Sequence, residues 1–171
     1  KQEKIVIYMF LKQIFFKNFR SFEKRDFILN QFLTVIFGKN SKGKTNLLEG
    51  IYFLFRGEGF RETKEEELII FDKKDSYVEG ILVDEENKDS NIFRISLIKN
   101  DFGLNKFYFL GKTKKSRSYY LKDILPVVLF SPEQIEIING TPSIRRDNFD
   151  KLLSGIDAEY KKRLINNQQA L

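Results

Sequence analysis

The apolar residues of the chain fall into short runs separated by polar connections, a pattern that predicts a mixed α/β fold. Phe10–Phe16 predicts a strand, and Phe22–Leu29, which follows a short turn, predicts its antiparallel partner. Phe32–Phe37 is a continuous run of mainly β-branched and aromatic residues, which predicts a buried strand. Asn46–Phe55 has apolar residues at helical spacing, so we expect a helix after that strand.

Beyond this helix the apolar residues follow a period of two. Tyr77–Asp84 and Ile92–Ile98 flank a polar turn and predict a hairpin, to which Asn105–Leu110 adds a third strand. Ser118–Leu121 is a candidate for another short strand. Val127–Phe130 is apolar throughout, as a strand buried on both faces would be.

Signals for helix starts dominate the remaining segments. Glu62–Glu67 is a charged run that predicts a short helix. Ser131–Gln134 combines a good N-cap, a proline at the first helical position and a capping-box glutamine, which together predict a helix. Thr141–Pro142 repeats the start signal, and Asp157 predicts the cap of a last helix.

The segment between the predicted buried strand and its helix matches the P-loop pattern G-x-x-x-x-G-K-[ST] at every fixed position. Gly38 and Gly43 allow the backbone to curl so that successive N–H groups point inward at the positive end of the helix. Lys44 is expected to reach the β- and γ-phosphates, and the Thr45 hydroxyl to bind Mg²⁺. The candidate nucleotide-binding residues are therefore Gly38, Lys39, Asn40, Ser41, Lys42, Gly43, Lys44 and Thr45.

The composition narrows the classes of site. The chain contains neither Cys nor His, so Cys/His metal sites, catalytic Cys or His and disulfides are excluded. The apolar run Ile5–Leu11 is too short to span a membrane, and no signal-peptide cleavage site follows it. We therefore expect a cytoplasmic protein without a membrane partner. The net charge of +6 conceals an acidic block, residues 62–89, between two basic ones, which suggests a polyanionic partner for one surface.

The predicted loop Gly111–Arg117 concentrates basic residues. Its cations join apolar strands and stand beside Tyr119 and Tyr120, so they can follow a phosphate backbone. Because nothing here is typical of a base-reading helix, we expect sequence-independent DNA binding. The alternative is a solvated hairpin tip. The candidate DNA-binding residues are Lys112, Lys114, Lys115 and Arg117.

Taken in order, these segments resemble the RecF family, whose members have ABC/SMC-type ATPase heads. The matching stretches are Leu11–Phe22, Gly38–Gly57, Glu66–Ile69, Val127–Arg146 and Phe149–Tyr160. This chain departs from the usual family pattern at Ser41, where glycine is common. It departs as well at Gln134, where the family usually has an acid, and at Asp147, where a basic residue is common.

The resemblance implies an ATP-dependent DNA-binding protein of recombinational repair, replication and the SOS response. Its cofactors would be ATP and Mg²⁺, with Arg20 near the phosphates. Its partners would be duplex or gapped DNA, a second copy clamped by ATP, and RecR, and it would help to load recombinase at gaps. Residues 1–140 would form ATPase lobe I with the P-loop and an antiparallel subsheet, and residues 141–171 the start of helical lobe II.

The family's signature motif and Walker B acids lie beyond residue 171. The resemblance therefore implies weak ATPase activity for the complete dimeric protein, whereas this segment alone is expected to bind ATP without hydrolysing it. The alternative is a self-contained P-loop nucleotide kinase or GTPase, which needs an acid for Mg²⁺ after an apolar strand. Asp72 and Asp84 are the candidates. Asp84 falls in a predicted antiparallel hairpin and Asp72 at a loop end, so we favour an ABC/SMC-like head.

Overall fold

The computed structural model describes residues 9–61, 64–84, 89–130 and 140–169. The chain divides into two compact units, Lys1–Leu125 and Pro126–Leu171. The lobe boundary that the sequence suggests after residue 140 remains a prediction. Within the described ranges, none of the helices is both long enough and apolar enough to cross a membrane.

The first unit is built on a six-stranded antiparallel sheet. Its strands are β1 (Met9–Phe19), β2 (Phe22–Ile28), β3 (Asp75–Asp84), β4 (Ser90–Asn100), β5 (Gly103–Leu110) and β6 (Thr113–Lys115). They lie in the order β2-β1-β3-β4-β5-β6, and every neighbouring pair is antiparallel. The five strands predicted between residues 10 and 29 and between residues 77 and 110 are therefore confirmed.

One face of this sheet carries the core. Along β3, alternate residues are buried, as a period of two requires when one face packs and the other meets solvent. Helix α1 (Lys44–Arg56) packs on the buried face and confirms the predicted helix. The Phe19 and Phe53 rings lie 5.7 Å apart. Gly50 allows close approach, because a Cβ at that position would lie 2.0 Å from Cε1 of Phe16.

The segment after β6 is helix α2 (Arg117–Asp123), so the strand predicted at Ser118–Leu121 is wrong. Ser116 is the N-cap, and its hydroxyl oxygen accepts a hydrogen bond from the Tyr119 N–H. Tyr120 is fully buried and donates its hydroxyl hydrogen to the carbonyl of Leu54 on α1. The two adjacent tyrosines favour a strand locally, but the cap and the buried tertiary contact favour the helix.

The strands predicted at Phe32–Phe37 and Val127–Phe130 are also wrong for the described chain. Both segments are irregular, and the side chains of Phe32 and Phe37 are 86% and 88% exposed. An apolar run becomes a strand only where neighbouring strands supply hydrogen-bond partners. None of the six described strands pairs with Phe32–Phe37.

The described part of the second unit contains two helices, α3 (Pro142–Ile156) and α4 (Ala158–Gln169). Thr141 is the N-cap of α3, with Pro142 at the helix start. The Asp157 carboxylate accepts hydrogen bonds from the N–H groups of Glu159 and Tyr160, as the sequence predicts. The helix start predicted at residues 131–134 lies outside the described residues.

Candidate nucleotide-binding site

The glycine-rich loop runs directly into the N-terminus of α1. Gly43 is the N-cap residue and has a φ of 88°, in the left-handed region. A Cβ at Gly43 would lie 2.9 Å from the Phe22 ring, so both the backbone conformation and the available space require glycine. The turn therefore delivers the chain to the positive end of a helix, where backbone N–H groups can bind an anion.

The Lys44 side chain folds back over its own loop. Its Nζ donates to the carbonyl oxygens of Gly38 and Lys39, at 2.8 Å each. An ammonium group has three N–H donors, so a third is left beside these two bonds for a phosphate oxygen. Thr45 lies in the same first turn of α1. The structure thus brings together the two side chains that the motif assigns to phosphate and metal.

Four further P-loop candidates are exposed to solvent. Lys39, Asn40 and Lys42 are exposed. Ser41 is exposed as well, with a φ of 62°. A left-handed conformation costs a residue with a Cβ about 1–2 kcal/mol. The loop therefore keeps its turn at Ser41 against an unfavourable local conformation.

Arg20 lies beside α1 and is held by the carboxylate of Glu49. Its Nε and Nη2 donate to the two Glu49 oxygens at 2.8 and 2.9 Å, and its Nη1 donates to the Glu67 carbonyl at 3.0 Å. Glu49 is 0% exposed and lies one turn beyond Thr45. The structure thus places Arg20 against the P-loop helix, and its contact with phosphate stays a prediction.

Arg61 completes a network that the sequence did not reveal. Its Nη2 donates to Glu49 Oε2 at 2.9 Å and to Asn46 Oδ1 at 2.8 Å. The Asn46 amide in turn donates to the Ser21 hydroxyl at 2.7 Å. The one sequence feature that indicates such a network is Glu49, because an acid on the apolar face of a helix needs a cationic partner. The sequence does not indicate which cations those are.

The charge of Glu49 follows from this surrounding. Burial raises the pKa of the Glu49 carboxyl, but hydrogen bonds from Arg20 and Arg61 and their charges outweigh that effect and hold the pKa below its ordinary value. Glu49 is therefore ionised at neutral pH. The buried Glu49 carboxylate therefore holds two other segments of the chain, those of Arg20 and Arg61, against one side of α1.

An open cleft of about 930 Å³ lies beside this network. Its walls include Arg20, Arg61 and Asn46 of the network, the segment Ile69–Lys74 and the β4–β5 turn. A predicted short helix in the acidic block is present nearby as a 3₁₀ helix, Glu65–Leu68. The cleft volume is within the range of sites that hold small molecules. It opens next to Asn46, the residue that follows Thr45.

The four predicted DNA-binding residues lie in and around strand β6. The predicted basic loop contains strand β6 and the first residue of α2. Lys114 and Lys115 are consecutive in β6 and so point to opposite faces of the sheet. Lys114 Nζ lies 4.1 Å from the centre of the Phe107 ring, and Arg117 pairs with Glu58 at 3.8 Å. Lys112 is exposed in the turn before β6.

Asp84 and Asp72, the candidate Mg²⁺ ligands of a self-contained kinase or GTPase, lie in an antiparallel strand and in a turn, as the sequence predicts. Asp84 ends β3 and pairs with Met9 in the antiparallel sheet. Asp72 is exposed in a turn, with a φ of 70°. Neither follows a parallel strand, so the geometry that a kinase or GTPase needs for its Mg²⁺ acid is not formed by these two residues.

Known proteins similar to this chain share a functional class. A model of the AAA ATPase domain family matches residues 9–171. The DNA replication and repair protein RecF of Caldanaerobacter subterraneus subsp. tengcongensis is 36% identical over 168 residues, which cover 95% of this chain and 44% of that protein. RecF of Natranaerobius thermophilus is 32% identical over 164 residues, covering 95% and 42%. The chain thus spans less than half the length of these curated relatives.

Solved structures agree with this comparison. A structure of the recombination mediator protein RecF with ATP has a TM-score of 0.78 and 35% identity, and the match covers 95% of this chain and 44% of that one. A structure from work on ATP-driven dimerization of SMC ATPases has a TM-score of 0.69, covering 86% and 99%. At 21% identity the latter shows the fold alone. The predicted resemblance to RecF and the predicted P-loop head with an antiparallel subsheet are both confirmed.

Proposed function

The chain belongs to the family of AAA ATPase domains, and on this premise we propose that it binds ATP with Mg²⁺ as part of a RecF-like DNA-repair ATPase. One observation carries the proposal. Gly43 in a left-handed conformation, Lys44 with its ammonium bound to the loop carbonyls, and Thr45 in the first turn follow one another at the positive end of α1. Further support comes from the similarity to a RecF structure that contains ATP.

The roles follow from the chemistry of the groups present. Backbone N–H groups of the loop and the N-terminus of α1 bind the phosphates, and Lys44 adds a positive charge. The Thr45 hydroxyl would hold Mg²⁺, which neutralises phosphate charge when bound. The cleft, whose lining includes Asn46 but no residue of the loop itself, has a volume in the range of small-molecule sites, and in this proposal it holds the rest of the nucleotide.

Replacing Lys44 tests the binding site. Lys44→Ala removes a charge-assisted contact worth about 1.5–3 kcal/mol, so ATP affinity should fall about 10- to 150-fold in a fluorescent-nucleotide titration. Lys24→Ala is the control, because Lys24 is an exposed lysine on β2 and lies outside the loop. Equal affinity of the wild type and Lys44→Ala would rule the site out.

This chain alone should bind ATP without steady turnover. Phosphoryl transfer needs a group that positions the attacking water beside the γ-phosphate. Asp84, the best candidate in the sequence, lies in an antiparallel strand instead. Phosphate release measured with the wild type should stay at background. Turnover that disappears in Asp84→Asn would instead favour the self-contained kinase or GTPase.

The DNA part of the proposal rests on similarity to RecF proteins, which are named for DNA replication and repair. In it, ATP clamps two copies on DNA, RecR binds the complex, and recombinase is loaded at gaps. A non-hydrolysable ATP analogue should therefore promote self-association in sedimentation velocity. If the analogue caused no association, the proposal that ATP clamps two copies of this chain would be contradicted.

Sequence-independent DNA binding through the basic residues is tested separately. Changing Lys112, Lys114 and Lys115 to Ala should weaken binding alike for unrelated duplexes. The slope of log affinity against log salt should become shallower by up to about 2.7 units, because each DNA phosphate that loses its lysine removes about 0.9 from the slope. An unchanged slope would mean that these lysines do not contact DNA, and the DNA-binding surface should then be sought around Arg145 and Arg146 on α3.

A further inference from the structure

We propose that Arg61 is a positioning residue of the nucleotide site. The inference rests on the proposed ATP binding and adds a residue that the P-loop motif does not contain. Arg61 is 40% exposed at its side chain and lines the cleft beside the P-loop. It acts on the loop through the first turns of α1.

Arg61 joins two positions of α1 through a single nitrogen. Its Nη2 donates both to the Asn46 side chain, which is next to Thr45, and to the Glu49 carboxylate one turn further along. Asn46 is tied in turn to Ser21, whose hydroxyl oxygen lies 3.4 Å from the position of a Cβ on Gly43. The contacts of Arg61 therefore extend from the cleft, through Asn46 and Ser21, to Gly43, the N-cap of α1.

The ion pair is well placed to hold this geometry. Glu49 is fully buried, so removal of one of its two cationic partners would leave a buried charge poorly compensated. The contacts around this carboxylate would then rearrange. Groups that orient metal ligands without touching the metal typically cost about 10- to 100-fold in affinity or activity when they are mutated, and we expect an effect at the lower end of this range for a group that orients a phosphate site. Arg61 has this relation to Thr45 and to the N–H groups of the first turn.

The opposite end of α1 supplies a matched control. Lys106 on β5 donates to the carbonyl of Gly57, which caps the C-terminus of α1, at 2.6 Å, and it also pairs with Glu65. Both cations therefore anchor the same helix to neighbouring segments. A purely structural role would make the two sites equivalent, whereas positioning of the phosphate end distinguishes them.

The experiment compares Arg61→Gln, Arg61→Lys and Lys106→Gln in two measurements. In amide hydrogen exchange without nucleotide, Arg61→Gln should speed exchange in peptides covering residues 40–50, and Lys106→Gln should not. In an ATP titration, Arg61→Gln should lose about 10-fold in affinity. Arg61→Lys should restore most of it, since both bonds come from one nitrogen and an ammonium has enough donors. Lys106→Gln should bind like the wild type.

Each other outcome has a definite meaning. Unchanged exchange and affinity in Arg61→Gln would overturn the inference. So would a fall in affinity with unchanged exchange and no rescue by Arg61→Lys, because that result describes direct contact with the nucleotide. An equal loss of affinity in Lys106→Gln would also overturn the inference, because it would mean that Arg61 only stabilises α1 in general. A wild type that does not bind ATP would overturn the proposed function, and the exchange data would still decide whether Arg61 holds the first turn.

Discussion

Gly50→Ala is expected to destabilise the first unit even though alanine is the better helix former. Gly50 lies within α1 and faces β1. A Cβ there would lie 2.0 Å from Cε1 and 2.7 Å from Cζ of the Phe16 ring. Carbon atoms in ordinary contact are separated by about 3.5 Å or more. Either the ring or the helix must therefore move.

The surroundings of Phe16 decide the size of the effect. Its ring centre lies 5.6 Å from that of Phe19, 5.1 Å from that of Phe22 and 5.9 Å from that of Phe27, so movement disturbs three other rings. Overpacking of a filled core costs about 1–3 kcal/mol. Replacing a helical glycine by alanine gains up to about 1 kcal/mol. The overlap is deep, so we expect a net loss of about 1–2 kcal/mol.

Urea unfolding followed by circular dichroism measures this loss as a lower midpoint at an unchanged slope. The double variant Gly50→Ala/Phe16→Leu provides the internal check, because the smaller side chain makes room for the methyl group. The two substitutions should show a favourable coupling energy in a double-mutant cycle. A Gly50→Ala variant as stable as the wild type, with no coupling to Phe16→Leu, would mean that α1 and β1 are further apart than described.

Three further predictions concern charge, backbone and a buried hydroxyl. Because the folded pKa of Glu49 is lowered, its contribution to stability is present above its unfolded pKa and is lost as pH falls through the folded value; urea midpoints should therefore depend less on acid pH in Glu49→Gln. Ser41→Gly should relieve left-handed strain and raise the free energy of unfolding by up to about 1 kcal/mol after the entropy of the unfolded chain is counted, which thermal unfolding would show as a higher melting temperature. Tyr120→Phe leaves the Leu54 carbonyl without its hydroxyl donor and should cost about 1–3 kcal/mol in denaturant unfolding. An unchanged pH dependence in Glu49→Gln, or an unchanged stability in Ser41→Gly or Tyr120→Phe, would contradict the corresponding argument.

The sequence predicts best what depends on neighbouring residues. The strands of the antiparallel sheet follow from a period of two, and the P-loop follows from fixed spacing around Gly43 and Lys44. The cap at Asp157 is similarly local, because its hydrogen-bond partners lie two and three residues away. These features need no knowledge of the tertiary structure.

The predictions that failed depend on partners far along the chain. Tyr120 is helical partly because its hydroxyl meets Leu54 on another element. Phe32–Phe37 has a strand-like composition, but composition does not supply a neighbouring strand. The network around Glu49 was missed for the same reason, since its two arginines come from separate segments. Local patterns record tendencies, and long-range contacts decide between them.

The strand order also bears on how the chain folds. Strands β3 to β6 pair in succession, so they can form as consecutive hairpins. The pairing of β1 with β3 instead joins Lys17 to Tyr77, and the chain between them contains β2, the P-loop and α1. Closing this longer loop costs more conformational entropy than closing a hairpin. We therefore expect β3–β6 to assemble first. The phosphate-binding loop would then be fixed in position only when β1 joins the sheet, so its ordering would be a late step of folding.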